Sequence, residues 1–342
     1  VKLNKGETVE AALERYRHNP AVEYAEPNYI YQLAAIPNDT QFRTSLWGLH
    51  NTGQTVNGTV GTADVDIDAP EAWDITTGSS NVIIGVIDTG IAYDHPDLAA
   101  NIWKNPGEIP NDGIDNDGNG FVDDVFGYDF RSGDNDPMDP DGHGTHVAGT
   151  IGAVGNNNSG VTGVMHTVKL MALKAAGEDR LLTSSAIAEA IYYAVRKGAR
   201  VINASFVRPG ACSRLEYDAL SEANAKGVMV LAAAGNDNSD SDKNPVFPSG
   251  YSVTTDNNCP ALANVISVAA IDQTGAKAGF SNFGTSSVQI AAPGVNINST
   301  STKLGTPSAA NDYEFLTGTS QATPHVTGVV GLLLSINPNL TV

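Results

Sequence analysis

Three short stretches carry side chains able to do covalent chemistry. An apolar run ends in Asp88-Thr89-Gly90 ("VIIGVIDTG"), "DGHGTHVAG" sets His143 between glycines, and "GTSQATPHVTG" holds Ser320; the last two read as helix mouths. A strand delivering Asp-Thr-Gly is also how aspartic proteases present a carboxylate, but that chemistry needs two carboxylates sharing a proton. No second Asp-Thr/Ser-Gly follows an apolar strand, which argues against a dyad. The ordinary alternative for Asp88 is a turn residue. His143 and His146 have the look of a zinc pair, yet no third ligand or HExxH glutamate accompanies them. A serine hydroxyl is a weak nucleophile at its free pKa, so it needs a base, and the base needs an orienting carboxylate. Ser320, His143 and Asp88 are of the right types for those three parts. Glycines beside them let backbone and substrate approach closely. A helix opening at Ser320 aims free N–H groups and positive potential at an oxyanion formed there, and Pro324 is expected in its first turn, where a missing N–H costs little.

The elements that must position these residues alternate from Val82 onward. Apolar strands are expected over 82–87, 169–175, 200–206, 227–235 and 264–271, with helices near 144–154, 184–197 and 213–226. Continuous apolar strands separated by amphipathic helices predict an α/β fold: three layers, a mainly parallel central sheet and helices on both faces. Ligands in such folds bind where the carboxyl ends of strands open into a crevice, and Asp88 stands at one such end. Ahead of this, residues 8–18 predict a helix behind a Thr8 cap and 21–33 an extended segment, together too small for a core of their own. The expected division is a partial α+β segment over 1–35 and a large domain over 36–342.

Thirty-eight acidic against 19 basic residues give a formal charge of −19, which repels phosphate backbones and attracts hard cations. Nucleic acid is therefore not an expected partner. The longest apolar runs fall short of the roughly 20 residues a bilayer needs, so no membrane partner is expected either, and the chain reads as a soluble monomer. Two cysteines, Cys212 and Cys259, are too few for a disulfide scaffold, and whether they form one bridge is left open. Residues 1–20 lack the apolar segment of a signal peptide, and both ends are expected to be incomplete.

Much of the acid is concentrated in residues 112–141. "DNDGNGFVD" offers Asp115, Asp117, Asn119, the Phe121 carbonyl and Asp123 at positions 1, 3, 5, 7 and 9 of an EF-hand-like loop, with Gly120 at the turn. Position 12 is Phe126 instead of Glu, so the missing ligand falls to Asp112, Asp124 or water. A second acidic cluster, Asp134, Asp136 and Asp139, is a further candidate for a calcium ion.

"VIDTGIAYDHPDL", "HGTHVAGTIGA" and "GTSQATPHVTG", in that order, resemble the three signatures of the subtilisin-like serine proteases, the subtilases, and the resemblance runs from about Ile36 to the last residue. It implies a secreted endopeptidase with Ser320 as nucleophile, His143 as general base and then acid, Asp88 fixing the imidazole, and Asn236 as side-chain donor to the oxyanion. Substrate-cleft walls are implied at Ser205, Phe206 and Val207 and, facing them, at Ala233, Ala234 and Gly235. "IPNDTQF" and "HPDL" are similar to the segments that give thermitase-like members a tight calcium site, here Asp39 and Asp97, completed by Asn157 and the carbonyls of Val154, Ser159 and Val161. Two or more calcium ions are expected in all. "NPAVEYAEPNYIYQL" is similar to the end of a subtilase propeptide, an intramolecular inhibitor, with cleavage expected between Tyr31 and Ile36. The chain departs from the family where two glycines are usual: Val207-Arg208 would narrow the primary pocket or set a cation beside it. Gln321 stands in place of a usual Met. The alternative from another class is a catalytically silent, calcium-binding domain of the same fold, against which Asp88, His143, Asn236 and Ser320 all argue.

Overall fold

The computed structural model describes residues 3, 6–27, 36–177, 179–302 and 312–341, in two units, residues 1–34 and 35–342. In the first unit Thr8 Oγ1 accepts from Ala11 N at 3.2 Å and opens helix α1 (Val9–Arg17) as the cap pattern requires. The segment expected to be extended behaves differently: residues 21–27 hold no paired strand, and 28–33 lie outside the described residues, as does most of the expected cleavage window.

In the second unit the apolar runs become parallel strands. These are β1 (Gly78–Asp88), β2 (Gly127–Asp129), β3 (Thr167–Lys174), β4 (Val201–Ala204), β5 (Met229–Ala233), β6 (Val265–Ile271) and β7 (Ile290–Pro293), in the sheet order β7-β6-β5-β4-β1-β3-β2. The helices are α2 (His143–Gly152), α3 (Ser184–Arg196), α4 (Arg214–Ala225) and α5 (Thr319–Ile336). Thr183 and Ser213 cap α3 and α4 through Ala186 N and Glu216 N. The layered α/β fold is as expected. The short strands β2 and β7 at the sheet edges were not anticipated, nor was an antiparallel pair of Ile297–Thr300 with Tyr313–Leu316.

Two apolar cores lie on the two faces of the sheet. Ile84 and Val86 belong to one with Val147 and Ile151 of α2 and Ala322 and Val326 of α5. Ile87 belongs to the other with Ile187 and Ile191 of α3 and Leu220 of α4. Each such aliphatic side chain contributes roughly 1.5–3 kcal/mol by leaving water. Because strand side chains alternate, the same parity that buries Ile84 and Val86 under α2 and α5 sends Asp88 to that face. Strand order also reverses about β1, with β3 on one side and β4 on the other, so the crevice expected at a topological switch point opens at Asp88. Cys212 and Cys259 are disulfide-bonded, with Cα atoms 6.5 Å apart, which resolves the question left open above. Among the described residues no helix is long and apolar enough to cross a membrane.

Candidate active site

Asp88, the last residue of β1, is almost fully buried. Its Oδ1 accepts from His143 Nδ1 at 2.7 Å and from Thr89 N at 2.8 Å. That pairing places the imidazole proton on Nδ1 and leaves Nε2 free to act as a base. The mouth of α2 is fitted closely to the end of β1. Thr89 Oγ1 accepts from Gly144 N at 2.9 Å, and a Cβ on residue 144 would stand 2.1 Å from the Gly90 carbonyl, so only glycine lets the two segments meet. Asp139 supplies the other clamp. Its Oδ2 accepts from Thr145 N at 2.9 Å and Thr145 Oγ1 at 2.6 Å, while that hydroxyl accepts from Ala92 N.

Burial opposes a charge on His143, but the charge and hydrogen bond of Asp88, helped by Asp139 and Asp141, outweigh it and push the imidazole up to about 9. The neutral base is then the minority form at neutral pH. Peptidase kcat/KM is expected to rise along an acid limb displaced above the ordinary imidazole value toward pH about 9. Asp141→Asn, which removes one nearby anion, is expected to move the limb down. A limb at the ordinary value in the unmodified protein would contradict the geometry. Stability runs the other way: a raised imidazole pKa stabilises the fold below its unfolded value and loses that contribution as pH climbs through the folded one.

Ser320 is the second residue of α5. Its Oγ donates to the Ser205 carbonyl at 2.9 Å, and Ser205 Oγ donates to the Ser320 carbonyl at 2.8 Å. The second bond has a cause in the sequence. Since α5 opens at Thr319, Pro324 is its sixth residue and not in its first turn as expected, and it removes the N–H that would have bonded the Ser320 carbonyl. Ser205, at the end of β4, fills that position. Asn236 follows Gly235, which has φ of 103° and no room for a Cβ, since one would stand 2.3 Å from Asn282 Nδ2. Asn236 Oδ1 accepts from Thr319 N at 2.9 Å and Thr319 Oγ1 at 3.0 Å, which leaves its Nδ2 free to donate. Asn282 holds this loop through Asp237 N, Ser239 N and the Ala234 carbonyl. Neither Asn282 nor Thr319 was singled out from sequence.

A cleft of about 190 Å³ is bounded by Asp88, His143, Ser205, Phe206, Arg180 and Leu182. Arg180 pairs with Asp141 at its rim. Ser205, Ala233 and Ala234 are buried, and Phe206 and Val207 are half-buried. Arg208 is not a cation offered to the cleft. Its guanidinium turns to Glu216, 97% buried, with Nη2 to Oε2 at 3.0 Å and Nε to Oε1 at 3.3 Å, and Tyr251 and Ser184 hydroxyls complete that carboxylate. Arg208→Ala would strand a buried carboxylate, at about 3–5 kcal/mol. The thermal midpoint is expected to drop by roughly 5 °C or more, with no change in preference between acidic and basic substrates. A shift in charge preference, read from a peptide library, would contradict this placement.

His146 and His325 are buried and neutral. His146 Nε2 bonds the Ile297 carbonyl at 2.9 Å and His325 Nδ1 the Gln321 carbonyl at 2.9 Å, and burial lowers them to about 3 and about 4.

The expected cation ligands fall into three groups. Asp39 and Asp97 are buried, and neither makes an ion pair among the described residues. Burial raises both carboxyls, and the charge of Asp39 raises Asp97 further. Asp97 accepts from Asn157 Nδ2, Val161 N and Tyr313 Oη, and Val154 N donates to the Asp97 carbonyl. Asp39 accepts from Asn156 and Asn157 N, and Asn157 Oδ1 from Ser159 N. Two buried carboxylates with no basic partner among the described residues fit a hard divalent cation. In the second group, Asp115 and Asp117 lie with Glu108, ligand atoms within 4.8 Å of one another, and Glu108 Oε2 is buried without a partner. This also fits a cation, with Glu108 as a ligand the loop pattern could not contain. Asp123 is spent on Asp112 and Gly113 N–H groups, and Asn119 on Phe121 N and on Asp124. The third group is not assembled. Asp134 and Asp136 are exposed turn residues, and Asp139 points inward to Thr145.

With this geometry in place, comparison with known proteins is direct. Residues 79–342 match the Subtilase family and residues 1–28 the Fervidolysin N-terminal prodomain. The chain is 38% identical over 331 residues to the Thermophilic serine proteinase of Bacillus sp. (strain AK1), spanning 97% of this chain and 68% of that protein. It is 37% identical over 269 residues to Thermitase of Thermoactinomyces vulgaris, spanning 79% and 80%. A solved structure of proteases from Pseudoalteromonas arctica covers 90% of this chain and 89% of its own, with a TM-score of 0.68 and 32% identity. Fold and relatives together define a subtilisin-like serine endopeptidase with part of a prodomain. The chain belongs to the subtilase family.

Proposed function

We propose that Asp88, His143 and Ser320 are the catalytic residues of a secreted, calcium-stabilised peptidase made as a proenzyme. The observation that carries the reading is the 2.7 Å bond from His143 Nδ1 to Asp88 at the sheet's switch point, with the mouth of the Ser320 helix tied to neighbouring β4. Ser320 Oγ leaves the Ser205 carbonyl, gives its proton to His143 Nε2 and attacks the scissile carbonyl. Asn236 Nδ2 and Ser320 N receive the negative charge that develops on oxygen. His143 returns the proton to the leaving amine, and water repeats the steps on the acyl-enzyme. Substrate peptides would run between the walls at Ser205–Val207 and Ala233–Gly235.

Calcium, when bound at Asp39 and Asp97, would neutralise buried charge and tie the start of the domain to the loop after the His143 helix, and Glu108, Asp115 and Asp117 would hold another ion. The Cys212–Cys259 bridge supports an oxidising, extracellular location. Residues 1–35 would be the inhibitory propeptide tail, cleaved between Tyr31 and Ile36. The test is a serine-directed fluorophosphonate on calcium-replete, propeptide-free protein. A single adduct mapped to Ser320 is expected, and an unlabelled Ser320 would overturn the reading.

A further inference from the structure

The residue after the nucleophile has an amide with one end unaccounted for. Gln321 is only 2% exposed, and its Nε2 is buried with no hydrogen-bond partner. Its other end faces a defined space. The point a Cβ on Gly318 would occupy lies 2.9 Å from Gln321 Oε1, 3.5 Å from Asn236 Nδ2 and 3.6 Å from Ser320 N. Glycine at 318 therefore keeps open a small volume ringed by three amide groups. Two of them are the donors assigned above to the oxyanion.

We propose that the Gln321 side chain is a third oxyanion donor. This rests on the serine-peptidase reading of the same site. The oxygen and nitrogen of a glutamine amide are nearly equal in size, and rotation about the last side-chain bond exchanges them over a broad, two-fold torsional profile. In the resting arrangement Oε1 faces the open volume, and Nε2 is left in a site that gives it no acceptor. When the substrate carbonyl oxygen enters that volume and becomes anionic, Oε1 facing it is repelled and Nε2 facing it is attracted. The turn brings an N–H to the charge and pairs a buried donor, while Oε1 takes the site that Nε2 leaves; the bond to a charged group outweighs that exchange. No bond is made or broken by Gln321, and no proton is transferred. A methionine at this position offers no N–H and could not do this.

The test compares Gln321→Met and Gln321→Leu, both close in volume, with the unmodified calcium-replete enzyme. Three quantities are read: kcat, KM, and the inhibition constant of a peptide aldehyde, whose adduct with Ser320 carries the anionic oxygen. Losing one principal donor costs about a hundred- to a thousand-fold in turnover. With two donors remaining, kcat is expected to fall on the order of tenfold to a hundredfold. KM should stay within about twofold, and aldehyde binding should weaken by the same factor as kcat. Fluorophosphonate titration of Ser320 in each variant normalises the rates to folded, competent enzyme. Unchanged kcat and aldehyde affinity in both variants would overturn the proposal, as would a loss carried wholly by KM. If the unmodified enzyme is neither labelled nor active, the underlying peptidase reading fails instead, and the two failures are thereby told apart.

Discussion

Replacing Ser320 with alanine is expected to lower kcat on a peptide substrate by roughly a million-fold, the figure subtilisin itself shows for loss of this hydroxyl. The fold should barely notice. Ser320 Oγ makes one hydrogen bond, to the Ser205 carbonyl, and a bond of that kind contributes about 1 kcal/mol. The helix mouth keeps its other ties, because Ser205 Oγ still donates to the backbone carbonyl of residue 320 and Thr319 still meets Asn236. A large activity loss with a thermal midpoint moved by no more than about 2 °C is the expected pair of results. His143→Ala should come close to the same loss, since the base and nucleophile act as one unit and their effects do not add. Kinetics of the two single variants and the double variant check this. A double variant slower than either single by a further thousand-fold would mean that the two groups work independently, and would overturn the proposed roles.

Removal of calcium is expected to have the largest effect on stability. An ion present at a thousand times its dissociation constant stabilises the folded state by about 4 kcal/mol. For a domain of this size that corresponds to roughly 6 °C in the thermal midpoint. The Asp39–Asp97 pair sharpens the expectation, because in the ion-free protein both carboxyls are buried and raised above their ordinary range. A raised carboxyl binds protons more readily folded than unfolded, so the chelated protein should gain stability as pH falls through that elevated range. The calcium-loaded protein needs both groups ionised and should lose its advantage there. Asp97→Asn isolates the effect: chelated variant and chelated parent should melt close together or with the variant higher, while calcium should stabilise the parent more. Equal midpoints for the parent with and without chelator, measured by calorimetry near neutral pH, would overturn a structural role for the ion.

How much of this was legible in the sequence depended on distance along the chain. Asp88 and His143 could be paired from sequence because the signatures around them resemble those of the subtilases, and each sits at the end of an element whose periodicity is plain. Strand parity along "VIIGVID" even carries the face on which Asp88 emerges. Glu108 was missed for the opposite reason: it stands outside the loop pattern that drew attention to Asp115 and Asp117, and nothing local marks it as a ligand. Asn282, in the unremarkable stretch "FSNFG", is invisible without the fold that brings it under Gly235. Glu216 had a local signal, as the fourth letter of the helix-start pattern "SRLE", but that signal reports a cap. Its pairing with Arg208 depends on a buried site assembled from Tyr251 and Ser184, which periodicity does not report. The placement of Pro324 failed by a few residues, the usual error at helix ends. That small miscount mattered, because it hid the open carbonyl of Ser320.

The paired bonds between Ser205 and Ser320 have a mechanical consequence. On the proposed mechanism, one bond of the pair belongs to a side chain that would swing at every turnover, and the other to backbone that need not move at all. The Ser320 hydroxyl could then change partner from carbonyl to imidazole while the peptide unit beneath it stays moored to the neighbouring strand. Reactivity would then be a matter of a single bond rotation, performed on a platform that a proline elsewhere in the same helix made it possible to fasten.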